Sequence, residues 1–362
     1  MKKKLLSLLL VLTLAITSLV GCTSSNDDVK GEKEDKNASK TIMFTDSVGR
    51  KVEIPANIEK IAPSGSLAQI VLFSVAPDKL VGLSGDWTDD SKDYVDKKYT
   101  SLPVFGQFYG KGDLNMEALA AAEPQVIIDI GEKKGSMKED LDSIQEQTGI
   151  PTIFIEATTA NMSECYTKLG KILNVEDNAK VLADYCKTTY DTTVETMKKI
   201  GDKNKVNLAY CLGDTGTNII AEGSFHSEII NILANNVAKL DDPSSKGNGN
   251  EVSLEQLYLW NPDVIVFAPQ SIYSKVGSQA EWQKISAISS NKYYEAPSTP
   301  YNWMGFPPSV NRYMGMIWLS EILYPEHFNY DLKEKTKEFY KLFYHVDLSD
   351  EQYSKLTKNA IK

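Results

Sequence analysis

The chain has 362 residues, 42% of them hydrophobic and 24% charged, and its 39 basic against 49 acidic side chains leave a net charge of −10. That is the composition of a globular protein. The acidic balance excludes a nucleic-acid partner, because phosphate neutralisation needs a basic face.

Lys2, Lys3 and Lys4 precede an apolar run from Leu5 to Val20, the layout of a secretory signal peptide. At about 16 residues the run is short for a membrane span, which needs roughly 20. It ends in Leu19-Val20-Gly21-Cys22, which resembles the lipobox of bacterial lipoproteins. The resemblance implies cleavage after Gly21 and a diacylglycerol on Cys22, so that the chain is held to the membrane on its outer side. An ordinary signal peptide with a chance cysteine is the alternative. The tract that follows, through Lys40, is polar with Val29 its single large apolar residue, and reads as a flexible linker. The expected organisation is a signal peptide at 1–21, a lipidated linker at 22–40, a first lobe at 41–174, a bridging helix at 175–200 and a second lobe at 201–362.

The roughly 320 residues after the linker exceed what one hydrophobic core usually serves, so two lobes are expected. Short apolar runs at Val126–Ile130, Thr152–Ile155, Val206–Leu212 and Val264–Ala268, bounded by Gly or Pro, predict buried strands. Amphipathic stretches between them predict an α/β fold with mainly parallel sheets. The longest helical stretch, Val175 to Ile200, carries Val181, Leu182, Tyr185, Val194 and Met197 at helical spacing. Beyond Cys22, Cys165, Cys186 and Cys211 match no zinc or redox spacing and read as small buried hydrophobes.

An internal repeat is the most informative feature. Asn115-Met116-Glu117-Ala118-Leu119 … Glu123-Pro124-Gln125-Val126-Ile127-Ile128 aligns without a gap to Ser253-Leu254-Glu255-Gln256-Leu257 … Asn261-Pro262-Asp263-Val264-Ile265-Val266, at a constant offset of 138 (255 − 117). Each copy predicts a helix ending at Pro and then a buried strand. A weaker echo pairs Gly65-Ser66 with Gly223-Ser224, each opening an amphipathic stretch, Leu67 to Ala76 and Phe225 to Ala234.

Phe44-Thr45-Asp46-Ser47-Val48-Gly49-Arg50, Lys60-Ile61-Ala62-Pro63-Ser64, Asp78-Lys79-Leu80-Val81-Gly82, the two repeat strands, and Pro307-Pro308-Ser309-Val310-Asn311-Arg312 before Trp318-Leu319 together resemble the substrate-binding proteins of iron-siderophore, haem and cobalamin ABC importers. The resemblance covers nearly all of the mature chain. It implies two Rossmann-like lobes joined by one long helix, with a small-molecule ligand between them, a dimeric ABC permease as partner and no cofactor or enzymatic activity. In that family glutamates of these helices dock onto arginines of the permease subunits, a role that falls on Glu117 and Glu255.

Ligands of open α/β sheets bind at the carboxyl ends of the strands, where helix N-termini present free N–H groups. Ser64, Gly65, Ser66 and Leu67 are expected to line one wall, and Gly223, Ser224, Phe225 and His226 the other. Ser64 and Ser66 could equally cap a helix. Tyr109 and Lys111 lie in a glycine-rich aromatic loop, which is either a ligand contact or a surface connection. Trp303 is either cleft wall or core. Arg312, in the first turn of the helix after Pro308, either grips an anionic cargo or forms a salt bridge. With three His in the chain, a bare cation site is not expected, and His226 is expected to be a plain hydrogen-bonding residue rather than a metal ligand. The expected cargo is a metal chelate, ferric siderophore or haem, with cobalamin or the oxyanions molybdate and tungstate as alternatives. The rival class is a secreted hydrolase: Asp214-Thr215-Gly216 matches an aspartic-protease triplet, but such catalysis needs two triplets and the sequence has one.

Overall fold

The computed structural model describes residues 41–109 and 114–362. The signal peptide, Cys22, the linker and Lys111 lie outside the described residues. Among the described residues no helix is long and apolar enough to cross a membrane.

The first segments are β1 (Thr41–Thr45) and β2 (Lys51–Pro55), an antiparallel hairpin. Its turn depends on Asp46, whose Oδ1 accepts the N–H groups of Val48 and Arg50, and on Gly49 at φ +81°, a region that favours glycine. Arg50 donates to Asp46 Oδ2 and to the Thr152 carbonyl, fastening the hairpin to the first sheet. That sheet takes β3 (Ile61–Pro63), followed by α1 (Ser66–Val75) and α2 (Met116–Ala122). Then come β4 (Val126–Gly131), α3 (Met137–Thr148), β5 (Thr152–Glu156) and α4 (Met162–Leu173). The strands run parallel in the order β3-β4-β5.

Helix α5 (Glu176–Ile200) spans 25 residues and leads to the second sheet. Its buried face is Ala179, Leu182, Ala183, Cys186, Thr189, Thr193, Met197 and Ile200, whereas Val181 is 49% exposed. The stripe is therefore rotated from the one that hydrophobicity alone predicts. Close packing sets its phase: a Cβ on Gly170 of α4 would lie 2.7 Å from Ala179 Cβ, so small residues face one another there.

The second sheet contains β6 (Asn207–Leu212), β7 (Asn218–Ile219), β8 (Asn235–Asn236), β9 (Asn250–Glu251), β10 (Val264–Phe267) and β11 (Tyr293–Glu295). Its order is β11-β10-β6-β7-β9, with β8 also pairing β6. The pairs around β10, β6 and β8 are parallel, and β7 is antiparallel to both neighbours. The chain is thus α/β, two lobes with mainly parallel sheets joined by one long helix. The antiparallel edge escapes sequence reading because a two-residue strand has no period to detect.

The repeat reproduces itself residue by residue. In α2 the Asn115 side chain accepts from Ala118 N–H, and in α6 (Leu254–Trp260) Ser253 accepts from Gln256 N–H. Both helices end at a left-handed C-cap residue, Glu123 at φ 50° and Asn261 at φ 41°, each immediately before the proline at which the sequence predicts the helix to stop. The weaker echo diverges. Ser66 opens a ten-residue helix, but Phe225–Ser227 form a 3₁₀ turn before the six-residue helix Glu228–Leu233. There Ser224 accepts from His226 N–H and Ser227 donates back to the Ser224 carbonyl, which tightens the turn.

Helices α7 (Asn311–Leu323) and α8 (Leu332–Tyr344) close the structure. Phe73 of α1 packs edge-on against Trp87 and Tyr99, at centroid distances of 5.1 and 5.2 Å, and touches Tyr344 of α8. Helix α8 therefore packs against the first lobe, and a last helix, Asp350–Thr357, follows it. Across the same junction the buried Arg312 forms an ion pair with the part-buried Glu228, and Thr159, on the loop after β5, donates to Glu228 at 2.6 Å. Tyr313 donates to the Thr159 carbonyl at 2.6 Å. Removing Arg312 leaves the part-buried Glu228 carboxylate without its cation, so Arg312→Ala should lower unfolding free energy by about 3 kcal/mol, the low end for buried pairs, in urea titrations without any cargo present. Arg312→Lys should recover only part of this, because one ammonium cannot span the guanidinium's partners.

Candidate ligand cleft

A cavity of about 860 Å³ lies where the carboxyl ends of β3 and β4 meet the Phe225 turn. Gly65 to Ala68 bring the start of α1 to it, Asp129 to Glu132 the end of β4, and Phe225, His226, Ser245 and Pro308 the opposing wall. Tyr109 and Gln107 close one side. A volume of this size suits a small-molecule ligand, for which sites run from about 300 to 1,000 Å³.

Asp129 is the chemical centre of the first-lobe wall, although it is only 6% exposed. Ser64 Oγ donates to its Oδ1, and Tyr109 Oη donates to its Oδ2 at 2.8 Å. Burial raises the Asp129 carboxyl above its ordinary pKa, against the opposing pull of these donors. Burial and the neighbouring Asp129 charge push the Tyr109 phenol up, so it stays protonated and keeps donating.

On the opposing wall His226 stacks on Phe306, with centroids 4.6 Å apart and planes 17° from parallel. Burial holds its imidazole below the usual pKa, favouring the neutral ring. Among the described residues no group of three His, Cys, Asp or Glu side chains is placed to hold a metal ion.

Of the residues singled out from sequence, Ser64, Gly65, Ser66, Leu67, Tyr109, Phe225 and His226 come together around this cavity. Ser64 does not cap α1: the N-cap is Gly65, and the Ser64 hydroxyl turns to Asp129. Four other residues stand elsewhere, contrary to expectation, the first being Gly223, which is exposed and does not line the cavity. Ser224 is buried and its hydroxyl is spent on the His226 N–H. Trp303 is fully buried and packs against Trp318, because a side chain of that size completes the core better than it lines an open cleft. Arg312 is 2% exposed and faces inward. Its guanidinium sits 4.5 Å over the Phe225 ring and donates to the Phe225 carbonyl, holding the wall in place from behind. Lys111 lies outside the described residues.

Sequence reading missed Asp129, Gln107, Glu132, Lys134, Met137, Asp140, Ser245 and Pro308. For Asp129 a signal existed, a lone carboxylate inside Val126-Ile127-Ile128-Asp129-Ile130. Glu117 and Glu255 are exposed at the second positions of α2 and α6, away from the cavity. Asp214 of the protease-like triplet is exposed in the turn joining β6 and β7. Cys165, Cys186 and Cys211 are buried free thiols.

The family model described as periplasmic binding protein matches residues 65–300. A molybdate-binding protein of Haemophilus influenzae is 25% identical over 329 residues, covering 83% of this chain and 90% of the relative. An Fe(3+)-citrate-binding protein of Bacillus subtilis is 26% identical over 307 residues, covering 81% and 89%. The solved structure of an ABC transporter solute-binding protein from Sulfurospirillum deleyianum superposes with a TM-score of 0.80 at 29% identity, covering 88% of this chain and 99% of that one. With its two α/β lobes, its interlobe cleft and a family match over most of its length, the chain belongs to the periplasmic binding protein family, the solute-binding subunits of ABC importers, which are not enzymes.

Proposed function

We propose that this chain captures a metal chelate, such as a ferric siderophore or haem, and delivers it to a dimeric permease while anchored by a lipid on Cys22. Its working parts are a first lobe at 41–174, a bridging helix at 175–200 and a second lobe at 201–362. Ser64, Gly65, Ser66, Leu67, Tyr109, Phe225 and His226 form the chelate's contact surface.

The cavity of about 860 Å³ carries this reading. A tetrahedral oxyanion is only a few waters in size, each about 30 Å³, and would leave most of that space unfilled. The two curated relatives name both cargo classes, Fe(3+)-citrate and molybdate, so the oxyanion is the second reading. Protein purified without added ligand should show visible absorption and an intact metal complex by mass spectrometry. A colourless preparation carrying only molybdate or tungstate would decide for the oxyanion.

For delivery, Glu117 and Glu255 are matched charges on matched exposed helices. A surface ion pair within the chain would be worth at most about 1 kcal/mol, which makes a partner with two matching basic sites the better account. Reversing both to Arg should leave melting temperature and cargo affinity unchanged and reduce cargo uptake on the order of tenfold or more, through lost steering and register. Replacing Cys22 by Ser should move the chain from the membrane fraction to the soluble one, as read by fractionation and immunoblot.

A further inference from the structure

Asp129 and Phe267 occupy the same place in the internal repeat (267 − 129 = 138). In the second copy Phe267 is fully buried, with its ring 5.7 Å from that of Trp282. The fold can therefore build this strand with an apolar side chain. A buried carboxylate in its place carries a desolvation penalty of several kcal/mol, and Asp129 spends that at the cleft.

Among the described residues the hydrogen-bonding partners of the carboxylate are hydroxyls, Ser64 and Tyr109, rather than a cation. Each hydroxyl has one proton and gives it to Asp129, so what remains for the cavity is lone pairs. This part of the wall accepts hydrogen bonds. Donors come from the first turn of α1, where no side chain caps the helix and Ser66, Leu67 and Ala68 line the cavity. A helix N-terminus is equivalent to about half a positive charge, which does not balance a full negative one two residues from its start through Ser64. Nearer solvent, Glu132 and Asp140 line the same cavity against Lys134 among the described residues, and Arg312 is already committed to Glu228.

We infer that Asp129 sets the charge class of the cargo. The cleft takes a neutral or cationic chelate that directs an N–H, ammonium or O–H donor at the Ser64–Asp129–Tyr109 pole, and it rejects acceptor-only oxyanions such as molybdate. This rests on the chelate reading above and narrows it.

Calorimetry on the purified full-length protein tests it with three probes: sodium molybdate, ferric citrate as an anionic chelate, and the ferric complex of desferrioxamine B, a trihydroxamate with a free ammonium group. The expected result is binding of the cationic complex, no binding of molybdate, and ferric citrate weaker than the cationic complex. Asp129→Asn keeps the shape and should weaken the cationic complex by about tenfold or more, the scale of one charge-assisted hydrogen bond, while ferric citrate gains. Tyr109→Phe is the second variant, expected to reduce binding of the same complex with the melting temperature held. Absence of heat from the cationic complex overturns the charge assignment. If ferric citrate then binds, the chelate reading survives. If molybdate alone binds, both fail. Equal affinities of wild type and both variants for the cationic complex also remove Asp129 from its role.

Discussion

The buried guanidinium of Arg312 is the contact on which the cleft depends. It belongs to α7, pairs with Glu228 at the start of a short helix, lies over the Phe225 ring and holds the Phe225 carbonyl. Through Glu228 and Thr159 the same network reaches the loop after β5, in the first lobe. A 25-residue helix of about 37 Å joins the two sheets. A single helix fixes the distance between lobes better than it fixes their rotation. The Thr159–Glu228–Arg312 network and the seat of α8 on Phe73 supply the missing restraints, so the cleft has two walls held at a fixed separation.

Duplication supplies the frame of this machine and divergence its use. The two seven-residue helices, their caps and their left-handed ends are the same in both copies, and both present a glutamate to solvent. At the cleft the copies part company: one strand carries Asp129 where the other ends on Phe267, and one helix begins cleanly at Ser66 where the other is delayed by a serine-closed turn. Symmetry is kept on the two exposed helices and lost around the cavity.

The electrostatics of the cleft also differ from what a count of charged residues suggests. Arg312 and His226 look like an anion site in the sequence, but one is neutralised by Glu228 and the other is kept uncharged by burial. Among the described residues, the group left facing the cavity with a buried charge is a carboxylate, Asp129. Burial, more than residue type, decides which charges a ligand meets.

The sequence by itself determined the alternating α/β elements, the long helix, the repeat and the family, because these are written in local composition, period and register. It also placed Ser64 to Leu67, Tyr109, Phe225 and His226 in one group, since strand ends and helix starts follow from chain order. Only tertiary structure decided that Trp303 completes the core, that Ser224 closes a turn, that Arg312 turns inward and that Asp129 becomes the polar centre. Those outcomes depend on what lies opposite each side chain across the fold, at separations such as the 84 residues between Glu228 and Arg312, and no local pattern carries that information. The rotated face of α5 has the same origin: hydrophobic spacing predicts that a stripe exists, but the neighbour that fits against it, Gly170 on Ala179, sets its direction.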